Sequence, residues 1–286
     1  MLNGVAIAGA YGFIGSHLSR ALPDALRIPR RIDLREPLAE LPCETLYICA
    51  GVTGGAGLLR DNPRALVTDN LLIHMRLFEA CAKAGVKRVI CLSSTTGYPE
   101  SNLPLKENDF FKGDLYPGYY YPGHTRRFIE RLGGMYPEMA MIFIRCPGAY
   151  GPGDDYDPAT SHVIPATIRK VAERHDPLVV WGDGGDVRDG TYIDDLVEAL
   201  ILAGKLDGHH AINVATGTGM SVNGMIGVLT AHAGYDPEIV YDKTKPSMIR
   251  HRSLDVSKAK ELLGWQSKVT MTAGLIRTLD WYAGKA

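Results

Sequence analysis

The chain has 286 residues, 45% hydrophobic and 22% charged, with a formal net charge of −1 at pH 7. That is room for one large soluble α/β domain, or a large domain plus a small one. Near-neutral charge with no basic tail or stripe excludes a general nucleic-acid binder, and no apolar run approaches the roughly 20 residues that span a bilayer.

Met1 to Ala8 carries no cationic leader and passes straight into an apolar run, so no signal peptide is expected. The cysteines Cys43, Cys49, Cys81, Cys91 and Cys146 show no paired metal spacing. They are expected to be reduced, structural thiols in a cytoplasmic protein without a metal site.

Val5 to Ala8 predicts a buried parallel strand that empties into Gly9, Gly12 and Gly15, followed by a helix to about Leu22. Glycine at such a turn adopts backbone angles closed to other residues and lets the chain approach a phosphate with no Cβ in the way. The helix N-terminus then offers free N–H groups to a pyrophosphate. The spacing G-x-x-G-x-x-G also suits an ordinary strand–helix turn, but its place on the first strand points to a dinucleotide. The cofactor residues expected there are Gly9, Tyr11, Gly12, Phe13, Ile14 and Gly15.

Ala25 to Ile28 predicts the second strand, followed by Arg30 and Arg31. An acid at this place takes a ribose 2′-hydroxyl, whereas an arginine accommodates a 2′-phosphate. Asp33 competes but lies beyond both arginines, so NADP is expected, with NAD the alternative. A solvated charge cluster is the reading without function.

Thr45 to Gly51 predicts a third strand ending in small residues, with Ala50 and Gly51 leaving space for the cofactor, then a mobile loop from Gly51 to Gly57. Ala65 to Gly85 carries a long helical pattern in which Asn70 stands ready to brace the next strand's end. Val86 to Leu92 is the fourth strand, leading into Ser93-Ser94-Thr95-Thr96-Gly97-Tyr98-Pro99. Met139 to Arg145 is a further strand, followed by Cys146-Pro147-Gly148.

This alternation predicts a doubly wound parallel sheet of Rossmann type. Helices at about Val163 to Glu173, Asp194 to Ala203 and Val222 to Ala233, strands at Leu178 to Trp181 and Ala211 to Val214, and a C-terminal helix complete the chain. The expected division is 1–160 for the cofactor domain, with later segments returning to it, and 161–286 mainly for a smaller substrate-binding lobe.

In this order and spacing, several segments resemble the extended short-chain dehydrogenases/reductases that act on nucleotide sugars, and among them the GDP-L-fucose synthase branch. They are Gly9 to Gly15, Ser93-Ser94…Tyr98-Pro99, Tyr150-Gly151-Pro152 and Ser161-His162-Val163-Ile164-Pro165. Val180-Trp181-Gly182…Arg188…Asp194-Asp195, Ile212-Asn213-Val214 and Leu254-Asp255-Val256…Leu263-Gly264-Trp265 continue the series nearly to the end of the chain.

The resemblance implies an NADP-dependent oxidoreductase or epimerase acting at sugar C4 of a GDP- or dTDP-linked sugar. Ser94 would hold the reacting oxygen, with Ser93 and Pro147 beside the cofactor and Thr95 beside the sugar. His162 keeps the place of an acid/base histidine, but Thr96 stands where that branch has a cysteine, which argues against double epimerisation. Arg188 is implied as a diphosphate ligand, with Trp181 and Arg252 as further substrate contacts; Trp181 and Tyr192 also read as core aromatics. Asp194 and Asp195 read as a helix N-cap and a first-turn acid.

The family's Tyr-x-x-x-Lys pair is degenerate in Tyr119-Tyr120-Tyr121-Pro122-Gly123-His124-Thr125-Arg126. Counting back from Tyr150 points to Tyr119 or Tyr120. Aligning Glu130 as the helix's usual glutamate puts Arg126 at the lysine and Pro122 at the tyrosine, with Tyr121 the nearest phenol. The catalytic candidates are therefore Ser94, Thr96, Tyr120, Tyr121, Arg126 and His162. A homodimer through helices at about 65–84 and 124–134 is implied as well. The alternative, motivated by the missing lysine, is an NAD(P)(H)-binding sensor or assembly partner without turnover.

Overall fold

A computed structural model describes residues 4–38, 41–55, 62–245 and 248–284. Its centre is a sheet in the order β10-β5-β4-β3-β1-β2, every neighbouring pair parallel. The strands are β1 (Val5–Ala8), β2 (Leu26–Arg27), β3 (Thr45–Ile48), β4 (Arg88–Ser94), β5 (Ala140–Cys146) and β10 (His209–Asn213). The chain leaves β1 toward β2 and then crosses to β3 on the other side. The turns after β1 and β3 therefore diverge and open a crevice at their C-terminal ends.

Side chains alternate across the sheet. On β5, Ile142 and Ile144 enter one core with Leu18 and Leu196, while Met141 and Phe143 enter the other with Leu77 and Phe78. This two-residue period on strands covered on both faces explains their continuous apolar runs.

The helices are α1 (Phe13–Ala21), α2 (Pro63–Ala84), α3 (Tyr120–Gly133), α4 (Val163–Ala172), α5 (Ile193–Ala203), α6 (Val222–Ala233), α7 (Ser257–Leu263) and α8 (Met271–Ala283). Proline opens α2, and Gly85 ends it in the left-handed conformation with φ 73°. Three small sheets lie beside the main one, pairing β8 (Val187–Arg188) with β11 (Met220–Ser221) and β13 (His251–Arg252), β7 (Leu178–Trp181) with β12 (Ile239–Asp242), and β6 (Ala149–Tyr150) with β9 (Thr191–Tyr192). No described helix is long and apolar enough to cross a membrane. The cysteines are free, and burial pushes the Cys43 and Cys146 thiols up to about 11.

Three local expectations are corrected. Asp194 does not cap α5: the N-cap is Tyr192, with no side-chain cap. Asp195 is a first-turn acid of α5 as expected, and its Oδ2 also accepts from Lys268 N and Val269 N of the turn before α8, both at 2.9 Å. Asn70 braces the loop after the preceding strand, β3, rather than the end of β4. Trp181 is not a core aromatic, being 44% exposed, whereas Tyr192 is in the core. Of the loop expected from Gly51 to Gly57, positions 56 and 57 lie outside the described residues.

One buried ion pair fixes α3 against the sheet. Arg145 of β5 donates from Nη2 to Glu130 Oε2 at 2.6 Å and from Nε to Glu130 Oε1 at 3.0 Å. Ser93 Oγ donates to the same carboxylate at 2.6 Å, and Arg145 Nη1 reaches Tyr98 Oη at 3.0 Å. Removing one partner strands the other charge in the interior. Arg145→Met is therefore expected to lower the unfolding free energy by about 3–5 kcal/mol in urea titration. Lys87→Ala, which breaks the exposed 3.2 Å pair with Glu44, is expected to cost under about 1 kcal/mol. Equal losses would show that Glu130 is not held by charge pairing.

Candidate active site

The crevice begins at the turn after β1. Gly9 has φ +80°, and a Cβ there would lie 2.6 Å from Ala50 N, while one on Gly15 would collide with the Gly9 carbonyl oxygen. Both glycines are therefore demanded by close packing of turn, α1 and β3. Gly12 is different: a Cβ would meet only Gly9 O, at 3.5 Å, and no side chain caps α1. The turn thus shows bare backbone and a helix N-terminus to the crevice. Phe13 and Ile14, half-buried, open the helix behind it.

At the end of β2, Arg30 donates from Nη2 to the Tyr11 carbonyl at 2.8 Å, its guanidinium 5.7 Å from the Tyr11 ring centre. Arg31 is exposed beside it. Asp33 is engaged by Arg35 at 2.8 Å, whose hydrogen bonds pull its carboxyl down to about 2. The acid that competes with Arg30 and Arg31 is thus already spent on a cation.

Beyond β3, Ala50 and Gly51 line the crevice. Asn70 of α2 clamps the next residue, accepting from Val52 N at 3.0 Å and donating to Val52 O at 2.9 Å. His74, one turn along α2, is fully buried with Nδ1 2.7 Å from Asn70 O, and burial and the nearby Arg126 charge push it down to about 3. Gly55 N donates to Thr160 O at 3.0 Å, tying this loop to the segment before His162.

At the end of β4, Ser93 is turned into the Glu130 network. Ser94 faces the other way and is half-buried, its Oγ accepting from Thr96 N at 3.3 Å and Thr96 Oγ1 at 3.2 Å. Thr95 is 5% exposed, inside the turn. Tyr98 is buried and donates to Asn213 Oδ1 at 2.6 Å; burial pushes its hydroxyl up to about 12.

α3 presents one face to this strand end. Gly123 abuts the Thr96 carbonyl, where a Cβ would collide, Arg127 Nε donates to Gly97 O at 2.8 Å, and Glu130 follows. Arg126 shares this face. Its guanidinium lies 3.7 Å from where a Gly51 Cβ would be, with one long bond among the described residues, 3.5 Å to Leu92 O. Burial lowers its pKa against the opposing pull of Cys91 and Glu130. Four residues earlier on the same face stands Pro122. Tyr120 and Tyr121 are 53% and 61% exposed, and Tyr120 packs on the His124 ring at 4.7 Å. The structure therefore joins Ser94 and Thr96 by a hydrogen bond, sets Arg126 on Leu92 of the same strand, and leaves these two phenols to solvent.

The opposite wall comes from the smaller sheets. His162 is the N-cap residue of α4. It is open to water from the cleft yet walled by protein, which lowers its pKa, with Asp155 opposing. Arg188 and Arg252 are register partners across β8 and β13. Arg188 pairs with Asp186 at 3.1 Å. Arg252 is 3% exposed and donates to Pro99 O at 3.0 Å and Tyr98 O at 3.4 Å; burial, helped by the Arg188 charge, pushes it down to about 10. Trp181 carries Lys245 Nζ 5.8 Å over its ring. Pro147 follows β5, half-buried.

The sequence gives no sign of Asp189, 2% exposed. Its carboxylate gathers Thr216 Oγ1 at 2.5 Å, Gly217 N at 3.1 Å and Leu254 N at 3.4 Å, fixing the loops behind Arg188. Its partners lie far along the chain, so no local spacing could reveal them.

Residues 5–215 match the family described as NAD dependent epimerase/dehydratase family. The chain is 28% identical to "Probable GDP-L-fucose synthase 1" of Oryza sativa subsp. japonica, covering 97% of this chain and 91% of that one. It is 26% identical to "dTDP-4-dehydro-6-deoxy-D-allose reductase" of Streptomyces sp, covering 97% and 95%. Among solved structures, "MoeE5 in complex with UDP-glucose and NAD" superposes with TM-score 0.86 at 27% identity over 99% of both chains. The chain belongs to the NAD dependent epimerase/dehydratase family, within the extended short-chain dehydrogenases/reductases, and is an NAD(P)-dependent enzyme.

Proposed function

We propose that the protein is an NADP-dependent oxidoreductase or epimerase acting at C4 of a nucleotide sugar. The observation that carries this reading is Arg126: a half-buried cation with one long hydrogen bond among the described residues, to Leu92 O two residues before Ser94, and facing Gly51. An under-bonded guanidinium in a crevice is a ready donor to ribose hydroxyls.

The residues fit a dinucleotide. The bare backbone of Gly12 and the closely packed Gly9 and Gly15 make a cradle that a side chain would fill. Tyr11, Phe13, Ile14, Ala50, Gly51 and Pro147 would surround the cofactor, with Ser93 holding the strand end from behind. Arg30 and Arg31 would meet a 2′-phosphate, a reading supported by the engagement of Asp33 with Arg35. When bound, the nicotinamide supplies or takes up hydride.

Ser94 would hold the sugar oxygen, its hydroxyl proton free because its oxygen already accepts from Thr96. Thr96 lacks the acidity of a thiol, which favours simple 4-keto reduction or single-centre epimerisation over double epimerisation. His162, Thr95 and Trp181 would border the sugar and base, and Arg188 and Arg252 the diphosphate. The relatives named above include GDP- and dTDP-sugar enzymes, so both linkages are candidates.

A second reading, an NADP(H)-binding protein without turnover, is favoured by Pro122, which puts no phenol one turn before Arg126. NADPH consumption with GDP- and dTDP-linked 4-keto sugars separates the two. Turnover with one donor is expected, Arg126→Ala lowering kcat/KM about ten- to hundredfold, the worth of a hydrogen bond to a charged group. Tyr121→Phe is expected to stay within about twofold, as for an exposed side chain. NADPH binding without turnover on any donor would establish the second reading.

Arg30→Ala is expected to weaken NADPH binding about tenfold while leaving NADH unchanged; equal effects on both would remove the 2′-phosphate role.

We also propose a homodimer through α2 and α3, whose outer faces and following turn expose Met75, Phe128 and Met135. Light scattering is expected to give a dimer for the parent chain and a monomer for Phe128→Glu. A monomeric parent would refute this assembly.

A further inference from the structure

Arg188, assigned above to the substrate diphosphate, is the last member of a run of paired charges. Its guanidinium donates from Nη1 to the Val187 carbonyl at 2.9 Å and from Nη2 to Asp186 Oδ2 at 3.1 Å. The other oxygen of that carboxylate, Oδ1, lies 3.3 Å from Arg250 Nη1. The same Arg250 nitrogen meets Asp183 Oδ1 at 2.6 Å. The side chains therefore alternate in sign as Asp183, Arg250, Asp186 and Arg188.

The backbone holds this run in register. Val187 N donates to Arg250 O and Asp189 N to Arg252 O, both at 2.9 Å, in the parallel pairing of β8 with β13. Asp186 immediately precedes β8 and Arg250 immediately precedes β13, so the two side chains leave adjacent strand ends. Asp183 Oδ1 also accepts from Gly185 N at 2.8 Å. A Cβ on Gly185 would collide with Arg250 Nη2, so the turn from Asp183 to Asp186 admits the guanidinium only because position 185 is glycine.

The two halves of the run differ in exposure. The side chains of Asp186 and Arg188 are 15% and 17% accessible, those of Asp183 and Arg250 52% and 60%. Charge on the inner pair is screened less than charge on the outer pair. A guanidinium has five N–H donors, and Arg188 uses two of them among the described residues. Donors remain for phosphate oxygens. The obstacle is electrostatic, because an anion that meets Arg188 also meets the Asp186 carboxylate beside it. Arg250 offsets that carboxylate from the far side.

We propose that Arg250 is a positioning residue for diphosphate binding: by pairing with Asp186 it leaves the positive charge of Arg188 available to the two phosphates. Arg250 itself does not touch the substrate. The proposal rests on the nucleotide-sugar reading and deepens it.

The test is a double-variant cycle on the intact chain, in which the parent, Arg250→Ala, Asp186→Asn and the double variant are titrated calorimetrically with GDP, UDP and dTDP. The parent is expected to bind at least one diphosphate. Arg250→Ala should weaken it about fivefold at low salt, the upper worth of a partly exposed ion pair, and by less at high salt. With Asp186 already changed to asparagine, Arg250→Ala should leave binding unaltered. Equal binding by the parent and Arg250→Ala would overturn the proposal and leave the nucleotide-sugar reading standing. A loss that persists in the Asp186→Asn background would also overturn it, since Arg250 would then act without the carboxylate. A loss of the same size at low and high salt would do so too, as the mark of a packing effect; this comparison needs no Asp186 variant. A parent chain that binds none of the three diphosphates would overturn both readings.

Discussion

Glu130 and Arg145, with side chains 4% and 2% accessible, meet between α3 and the middle of the sheet, and the geometry of the whole crevice depends on that meeting. Desolvating two charges is costly, and the pair survives because its donors and acceptors are nearly all used. Ser93 donates to the carboxylate, Arg145 reaches Tyr98 and the Glu107 carbonyl, and its guanidinium lies 3.7 Å from the Phe110 ring centre. Such a directional contact sets which face of α3 turns inward. An apolar stripe would hold the helix with less regard for its rotation. With Glu130 fixed, Arg126 and Gly123 fall one and two turns earlier on the same side, against Leu92 and Thr96.

The same contact explains why part of the site was legible in the chain and part was not. The glycine turn could be read because its demands are local. Gly9 and Gly15 have no room for a Cβ, and a strand of four apolar residues leads straight into them. The parallel sheet could be read because strands covered on both faces must be apolar throughout. The phase of α3 could not. Tyr119, Tyr120 and Tyr121 are consecutive, and local periodicity lets any of them face the crevice. What selects the phase is Arg145, fifteen residues beyond Glu130 and on another element. Aligning Glu130 leads to Arg126 and Pro122, whereas counting from Tyr150 leads to Tyr119 or Tyr120.

Asn70 and Asp195 teach a related lesson. Asn70 braces a different segment from the one expected, and Asp195, a first-turn acid as expected, has a second task across the fold. Asn70 replaces missing strand partners for the backbone of Val52, and Asp195 collects the N–H groups of Lys268 and Val269. A carboxylate or amide buried within a helix has already lost its water. It is stable only where hydrogen-bond partners reach it; for these two residues the partners are backbone groups of loops, and a loop's destination is not written in the residues beside the helix.

Arginine at position 126, with proline a turn before it, alters the acid–base character of the crevice. A guanidinium keeps its proton throughout the working range even when burial lowers its affinity for it, so Arg126 can hold and polarise but cannot relay. The hydroxyls of Ser94 and Thr96 are bonded to each other and titrate far above neutrality. His162 is then the group on the cleft wall whose ordinary pKa lies nearest neutrality, and burial moves it downward. At neutral pH its imidazole is uncharged, able to accept a proton and poorly able to give one. In the proposed chemistry this suits His162 to proton removal, while the proton needed for keto reduction enters through Ser94 from water in the open cleft.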